Sequence, residues 1–197
     1  MVPSVSHTPD AQRVGQAFGL DHRKLGMWLF LASEVMFFGG LIAAFLHYKV
    51  NLPTLEVEHL SVPLVAANTF VLLTSSFTVV LGLAAAQAGQ RRGLAGFLGL
   101  TLLLGLVFLG GQAFEFATLY REGVTLTGSV FGSSFFTLTG FHGLHVLVGV
   151  LWCARVLRKA LAGAYDAGRW QGVELFGLYW HFVDIVWIVL FTIIYLV

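Results

Sequence analysis

Two histidines three residues apart, His142 and His145, stand in the middle of an apolar run long enough to cross a bilayer, in Thr139-Gly140-Phe141-His142-Gly143-Leu144-His145. Side chains at that spacing share one face of a helix. Imidazoles so placed can bridge to a neighbouring helix by hydrogen bonds, carry a proton, or ligate a metal or haem, and bridging is the commonest of these inside helix bundles. Gly140 and Gly143 flank the first histidine and remove side-chain bulk, so a neighbouring backbone is expected to come close. Three more ionisable groups sit in similar runs: Glu34, and the i,i+3 pair His181 and Asp184, where a carboxylate can orient an imidazole. Such a group at mid-membrane costs roughly 2.5–3.5 kcal/mol on insertion scales, which makes it a functional candidate by default.

The elements that must position these groups follow from composition. Hydrophobic residues make up 57% of the 197 and charged residues 11%, with a mean hydropathy of +0.84. That profile describes an integral membrane protein. Apolar segments of about 20 residues or more indicate helices, since a membrane β-barrel would give alternating segments of about 10. Spans are expected at about 25–46, 62–88, 93–120, 129–157 and 172–197, an all-α bundle of five transmembrane helices. A polar tail, 1–22, precedes a single membrane domain, 23–197. The tail has no apolar signal-peptide core, so the first span is expected to direct insertion itself. The single cysteine, Cys153, excludes a disulfide framework or a thiolate cluster within one chain and reads as a lipid-facing or packing residue. A net charge of +1 argues against nucleic acid as a partner. The second span has a hydroxyl-rich centre, Thr74-Ser75-Ser76-Phe77-Thr78, expected to bond back to its own helix or across to a neighbour.

Nine of the eleven basic residues, Arg13, Arg23, Lys24, Arg91, Arg92, Arg155, Arg158, Lys159 and Arg169, fall on one side of that arrangement, leaving Lys49 and Arg121 on the other. The positive-inside rule then puts the N-terminus in the cytoplasm and the C-terminus outside. Counting from the cytoplasmic edges at about 1.5 Å per residue places Glu34, His142, His145, His181 and Asp184 within one layer, roughly 13–22 Å deep. They are expected to form a buried polar belt linking spans one, two, four and five. Glu34 is expected to be neutral unless paired. By the same count Glu115 lies near the outer surface. The glycine pairs Gly39-Gly40 and Gly110-Gly111 mark spans one and three as the expected contact surfaces for other proteins.

Leu31-Ala32-Ser33-Glu34-Val35-Met36-Phe37-Phe38, then Gly132-Ser133-Ser134-Phe135-Phe136 leading into Gly140-Phe141-His142-Gly143-Leu144-His145, and finally Tyr179-Trp180-His181-Phe182-Val183-Asp184 with Trp187 resemble subunit III of the haem-copper respiratory oxidases. The likeness covers nearly the whole chain after the tail and is to the five-span bacterial form. It implies a non-catalytic subunit of the bacterial cell membrane, with no cofactor of its own beyond phospholipid. Haem and copper would lie in partner subunits, above all the catalytic subunit I, which it would stabilise and whose proton uptake it would support. The family's carbodiimide-reactive carboxylate falls on Glu34. Cytochrome c is the expected electron donor, with a quinol oxidase or an accessory subunit of nitric-oxide reduction as alternatives. Lacking the first two helices of the seven-span form, the chain needs another subunit or lipid to cover that surface. Arg155, Arg158 and Lys159 at the far edge of span four are candidates for lipid headgroups. Two readings from other classes are an autonomous proton channel using the belt as a relay, and a small b-type cytochrome. The second is disfavoured because histidines on one face cannot grip opposite sides of one haem.

Overall fold

The computed structural model describes residues 21–51, 62–165 and 168–196. Most of the polar tail, the connection carrying Pro53, Glu56, Glu58 and His59, and Asp166 lie outside them. Among the described residues five helices are long and apolar enough to cross a membrane. They are α1 (His22–Asn51), α2 (Val62–Gln87), α3 (Arg91–Arg121), α4 (Val130–Leu161) and α5 (Gln171–Phe191), the last continued by a π-helical turn, Thr192–Leu196. α1, α3 and α4 continue as helix into their flanking polar residues, because satisfying the backbone internally is required in hydrocarbon and remains favourable at the interface.

Helix ends are set locally. Pro63 occupies the first turn of α2, where its missing N–H costs nothing. Ser129 caps α4 by accepting from Gly132 N at 2.9 Å. The three sharp stops share one device. Gly89, Gly123 and Gly163 adopt φ of 70°, 90° and 73°, and the next residue bonds back to the helix, as in Ala164 N to Lys159 O at 3.0 Å. These are Schellman turns, in which glycine takes the left-handed conformation without a Cβ penalty. Past the last of them Tyr165 folds under the bundle. Burial pushes its phenol above the ordinary value, while the nearby Arg155 guanidinium pulls the other way.

α2, α3, α4 and α5 close a ring, each packed on the next, and α1 lies outside it in the groove between α4 and α5. The inner face of α3 is Leu94, Leu98, Thr101, Gly105, Phe108, Gln112, Glu115 and Leu119, an unbroken 4-3 spacing that defines a left-handed helix-packing seam. α1 buries Leu31, Phe38 and Phe45, one residue every seven.

α5 and the π-helical turn that continues it hold the ring together by projecting three polar aromatics inward. The Trp180 indole lies between Gly105 of α3 and Gly149 of α4, so close that a Cβ on either glycine would stand 2.9 or 2.6 Å from the ring. Its Nε1 donates to Ser75 Oγ of α2 at 2.9 Å. Seven residues on, Trp187 donates from Nε1 to Thr69 Oγ1 of α2 at 2.9 Å, stacks on His142 of α4 at 4.8 Å and meets Phe108 of α3 edge-on at 4.9 Å. The third is Tyr195, whose hydroxyl donates to Glu115 Oε1 of α3 at 2.8 Å. Indole and phenol groups suit this use, combining a large apolar face with one donor that must be matched when buried.

The glycines divide more finely than their pairing suggests. Gly111 packs on Asn68 and Gly143 on Gln112, whereas Gly39, Gly40, Gly110 and Gly140 have nothing within 4 Å of a Cβ position. Close approach at the His142 motif therefore comes through Gly143 alone. Cys153 is fully buried, with Sγ 3.5 Å from Leu98 O, and so is a packing residue.

Candidate functional site

The bundle places the five ionisable residues singled out in the sequence in separate settings and not in one connected belt. Glu34 and His145 meet where α1 crosses α4, with Oε2 and Nε2 3.2 Å apart and side chains 18% and 17% exposed. His145 Nδ1 lies 2.7 Å from Phe141 O one turn back, and Tyr179 Oη of α5 donates to His145 O at 2.9 Å. The pair lines an open groove of about 410 Å³ with Met27, Phe30, Leu144, Val148, Trp152 and Tyr179. These two residues are half-buried rather than buried, because α1 rests on the outside of the ring.

His181 is tied to α2, and no hydrogen bond joins it to Asp184 among the described residues. Ser76 Oγ lies 2.6 Å from His181 Nδ1, whereas Asp184 Oδ1 is buried with no hydrogen-bond partner among the described residues. His181 is half-buried and lines an open groove together with Trp28, Leu31, Ala32 and Val35 of α1. His181→Ala is expected to leave Ser76 under-satisfied and to lower stability by about 1–3 kcal/mol. Thermal dissociation of the purified complex measures this, and a double-mutant cycle with Ser76→Ala should show coupling.

His142 stands apart from both. It is fully buried, and among the described residues neither ring nitrogen has a hydrogen-bond partner. Its surroundings are the rings of Trp187 at 4.8 Å, Phe108 at 6.0 Å and Phe38 at 6.5 Å. Its ring packs among these three aromatics. With His145 engaged at both nitrogens, the two histidines of the motif do not offer a joint ligand set, which weighs against the b-type cytochrome. A relay through all five residues likewise lacks the direct contacts it would use.

The hydroxyls of α2 bond as their composition suggests. Thr69, Thr74, Ser75 and Thr78 donate back to carbonyls of their own helix at 2.6–2.8 Å, and Thr78 also meets Thr101 of α3 at 2.8 Å. Two polar groups stand out less in the sequence. Gln112 Nε2 donates to Thr139 O at 2.8 Å, and Asn68 Nδ2 to Phe108 O at 3.0 Å. Glu115 lies toward the end of α3, turned inward and buried at 7% exposure. The 4-3 spacing of α3 carries the signal that Gln112 and Glu115 face inward. Charged groups hold the ends of α1: Lys24 Nζ pairs with Glu174 of α5 at 2.7 Å, and Lys49 Nζ donates to Ile193 O in the π-helical turn at 2.9 Å. Arg155, Arg158 and Lys159 are exposed at the end of α4.

These features define a class: a five-helix membrane bundle with polar pairs between its helices and aromatic groups from one helix tying the others. The family described as cytochrome c oxidase subunit III matches residues 16–197. A cytochrome c oxidase subunit 3 from Thermostichus vulcanus is 41% identical over 92% of this chain and 94% of its own length. One from Corynebacterium diphtheriae is 39% identical over 88% and 87%, and a probable quinol oxidase subunit 3 from Staphylococcus saprophyticus is 36% identical over 88% and 88%. The chain belongs to the cytochrome c oxidase subunit III family, and is thus a multi-pass membrane subunit of a respiratory oxidase assembly with partner subunits.

Proposed function

We propose that this chain is a non-catalytic subunit III that stabilises the haem-copper catalytic subunit I and supports its proton uptake during oxygen reduction. The observation that carries this reading is the use made of the interior polar groups. Ser75, Thr69, Ser76, Asn68, Thr78 and Gln112 are engaged helix to helix, the pattern of a scaffold held in register by interhelical hydrogen bonds. Cytochrome c is the electron donor under this proposal, a choice supported by the names of the relatives at 41% and 39% identity and opposed by the quinol oxidase name of the one at 36%.

In this arrangement the chain sits in a bacterial cell membrane with its N-terminus in the cytoplasm and its C-terminus outside. Support comes from the basic residues: Arg23, Lys24, Arg91, Arg92, Arg155, Arg158, Lys159 and Arg169 all lie at the end of the bundle that holds the start of α1 and α5. Arg155, Arg158 and Lys159 are there to meet phospholipid headgroups. Haem and copper belong to the partner subunits.

Purification in mild detergent tests the reading. The chain is expected to co-purify with a large haem-bearing subunit, and isolation as a haem-free homo-oligomer under the gentlest conditions would overturn it. Complexes that assemble with His142→Ala or His181→Ala should retain oxygen reduction. Loss of turnover with an intact haem spectrum would instead give these residues a direct part in the chemistry.

A further inference from the structure

The groove between α1 and α5 that His181 lines has a volume of about 380 Å³, at the small end of the roughly 300–1,000 Å³ of small-molecule sites. Its walls are apolar, with Trp28, Ala32 and Val35 from α1 and Leu178, Phe182 and Ile185 from α5. An aromatic side chain thus comes from each helix. Both helices belong to a membrane bundle, so what enters the groove comes from lipid and is itself lipophilic.

His181 narrows what such a groove selects. Its Nδ1 is turned to the buried Ser76 of α2, 2.6 Å away, which leaves Nε2, on the opposite edge of the ring, as the imidazole nitrogen open to the groove. An acyl chain lying there would use the apolar walls and leave Nε2 unmatched. Ser76 also sets what Nε2 offers. When the hydroxyl donates to Nδ1, the neutral imidazole carries its hydrogen on Nε2 and donates; when Nδ1–H donates to the hydroxyl, Nε2 is bare and accepts. The two forms differ in tautomer and hydroxyl rotation, with no change of charge. One point in the groove therefore matches a carbonyl in one form and a hydroxyl in the other.

We propose that the groove between α1 and α5 binds the ring of a membrane quinone, with His181 Nε2 hydrogen-bonded to a ring oxygen and Trp28 and Phe182 against the ring. Among lipophilic molecules, quinones are the class whose ring oxygen is a carbonyl when oxidised and a hydroxyl when reduced, the two partners that the Ser76–His181 pair accommodates. The open side of the groove lets an isoprenoid tail pass into lipid. This goes beyond the support reading and shares with it only the complex in which the chain is purified; it assigns a bound ligand and no electron transfer.

The test is photolabelling of the purified complex in lipid nanodiscs with a ring-azido benzoquinone and its naphthoquinone counterpart, each carrying an isoprenoid tail, mapped by mass spectrometry of peptides. Label is expected on residues 28–35 and 178–185, displaced by excess of the matching unlabelled quinone and not by added phospholipid. His181→Asn keeps a polar atom where Nδ1 stands, so Ser76 stays matched, and removes Nε2. It should weaken labelling about fivefold, the factor to which one net hydrogen bond of about 1 kcal/mol corresponds. Ala32→Phe fills the groove without touching the His181–Ser76 contact and should abolish label there. Label that misses both segments with both probes, that persists unchanged in the two variants, or that phospholipid displaces as well as quinone does, overturns the proposal and leaves the groove to ordinary lipid. If His181→Asn does not assemble, Ala32→Phe and the wild-type competition decide. Turnover and co-purification test the support reading independently of this measurement, so the two can fail separately.

Discussion

Trp180→Ala is expected to cost the complex about 3 kcal/mol, at the lower end of the about 3–5 kcal/mol seen when a buried aromatic is truncated in a water-soluble core. The lower end applies because, for helices already in lipid, hydrocarbon is as apolar as the bundle interior and much of the transfer term disappears. What remains is the cavity and the lost dispersion. The indole fills the space between Gly105 and Gly149, two positions with no side chain of their own to collapse into it. Its N–H bond to Ser75 goes as well. Trp180→Phe should keep most of the contact and lose that bond alone, at about 1 kcal/mol, since Ser75 still donates to Leu72 O at 2.6 Å. Thermal dissociation of the purified complex should rank wild type above Trp180→Phe and Trp180→Ala last. Equal loss in both variants would mean that the hydrogen bond, and not the filled space, holds the helices.

How far such a residue can be found from sequence is instructive. Trp180 and Trp187 are seven apart, so their sharing one helix face is legible. That both indoles find a hydroxyl on α2 is not, because it depends on which helix lies beside α5. The same limit explains the fate of the polar belt. Residue counting gives height along the membrane normal and says nothing of direction around it. Glu34 and His145 meet because α1 lies against α4, whereas His181 looks toward Ser76 on α2. What Glu115 bonds to is illegible for another reason. Its partner Tyr195 lies eight residues after Trp187, in the π-helical turn, and the wider turn shifts the register by one. A 3.6-residue period extrapolated along α5 would point Ile194 inward and leave Tyr195 off the seam; here both are buried. The spans themselves were accessible, since length and hydropathy suffice for them. The helices overrun the apolar limits at α1, where His22–Asn51 exceeds the expected 25–46 by including Arg23, Lys24 and His47-Tyr48-Lys49. Lys24 and Lys49 then serve to fasten the ends of α1 to α5.

Gly149→Val should be more damaging than its modest size suggests. A Cβ at position 149 would stand 2.6 Å from Trp180 Cζ3 and 2.8 Å from Cε3, and one at Gly105, on α3, 2.9 Å from Cη2. The ring is thus gripped between α3 and α4 and cannot retreat from α4 without striking α3. Nor can it rotate freely, since Nε1 is tied to Ser75 at 2.9 Å. Relief has to come from moving a helix, so the cost is expected at the top of the about 1–3 kcal/mol range for overpacking or beyond it, with Gly149→Ala lower in that range. Because valine and indole compete for one volume, a second substitution that shrinks the ring should recover part of the loss. Trp180→Leu combined with Gly149→Val should be more stable than the sum of the two single changes by about 0.5–3 kcal/mol, the usual size of coupling between residues in contact. Recovery of the chain in purified complex, followed by its thermal dissociation, measures all four members of the cycle. If Gly149→Val assembles as well as wild type, the indole does not occupy the slot between α3 and α4, and the account of α5 as the helix that ties the ring fails with it.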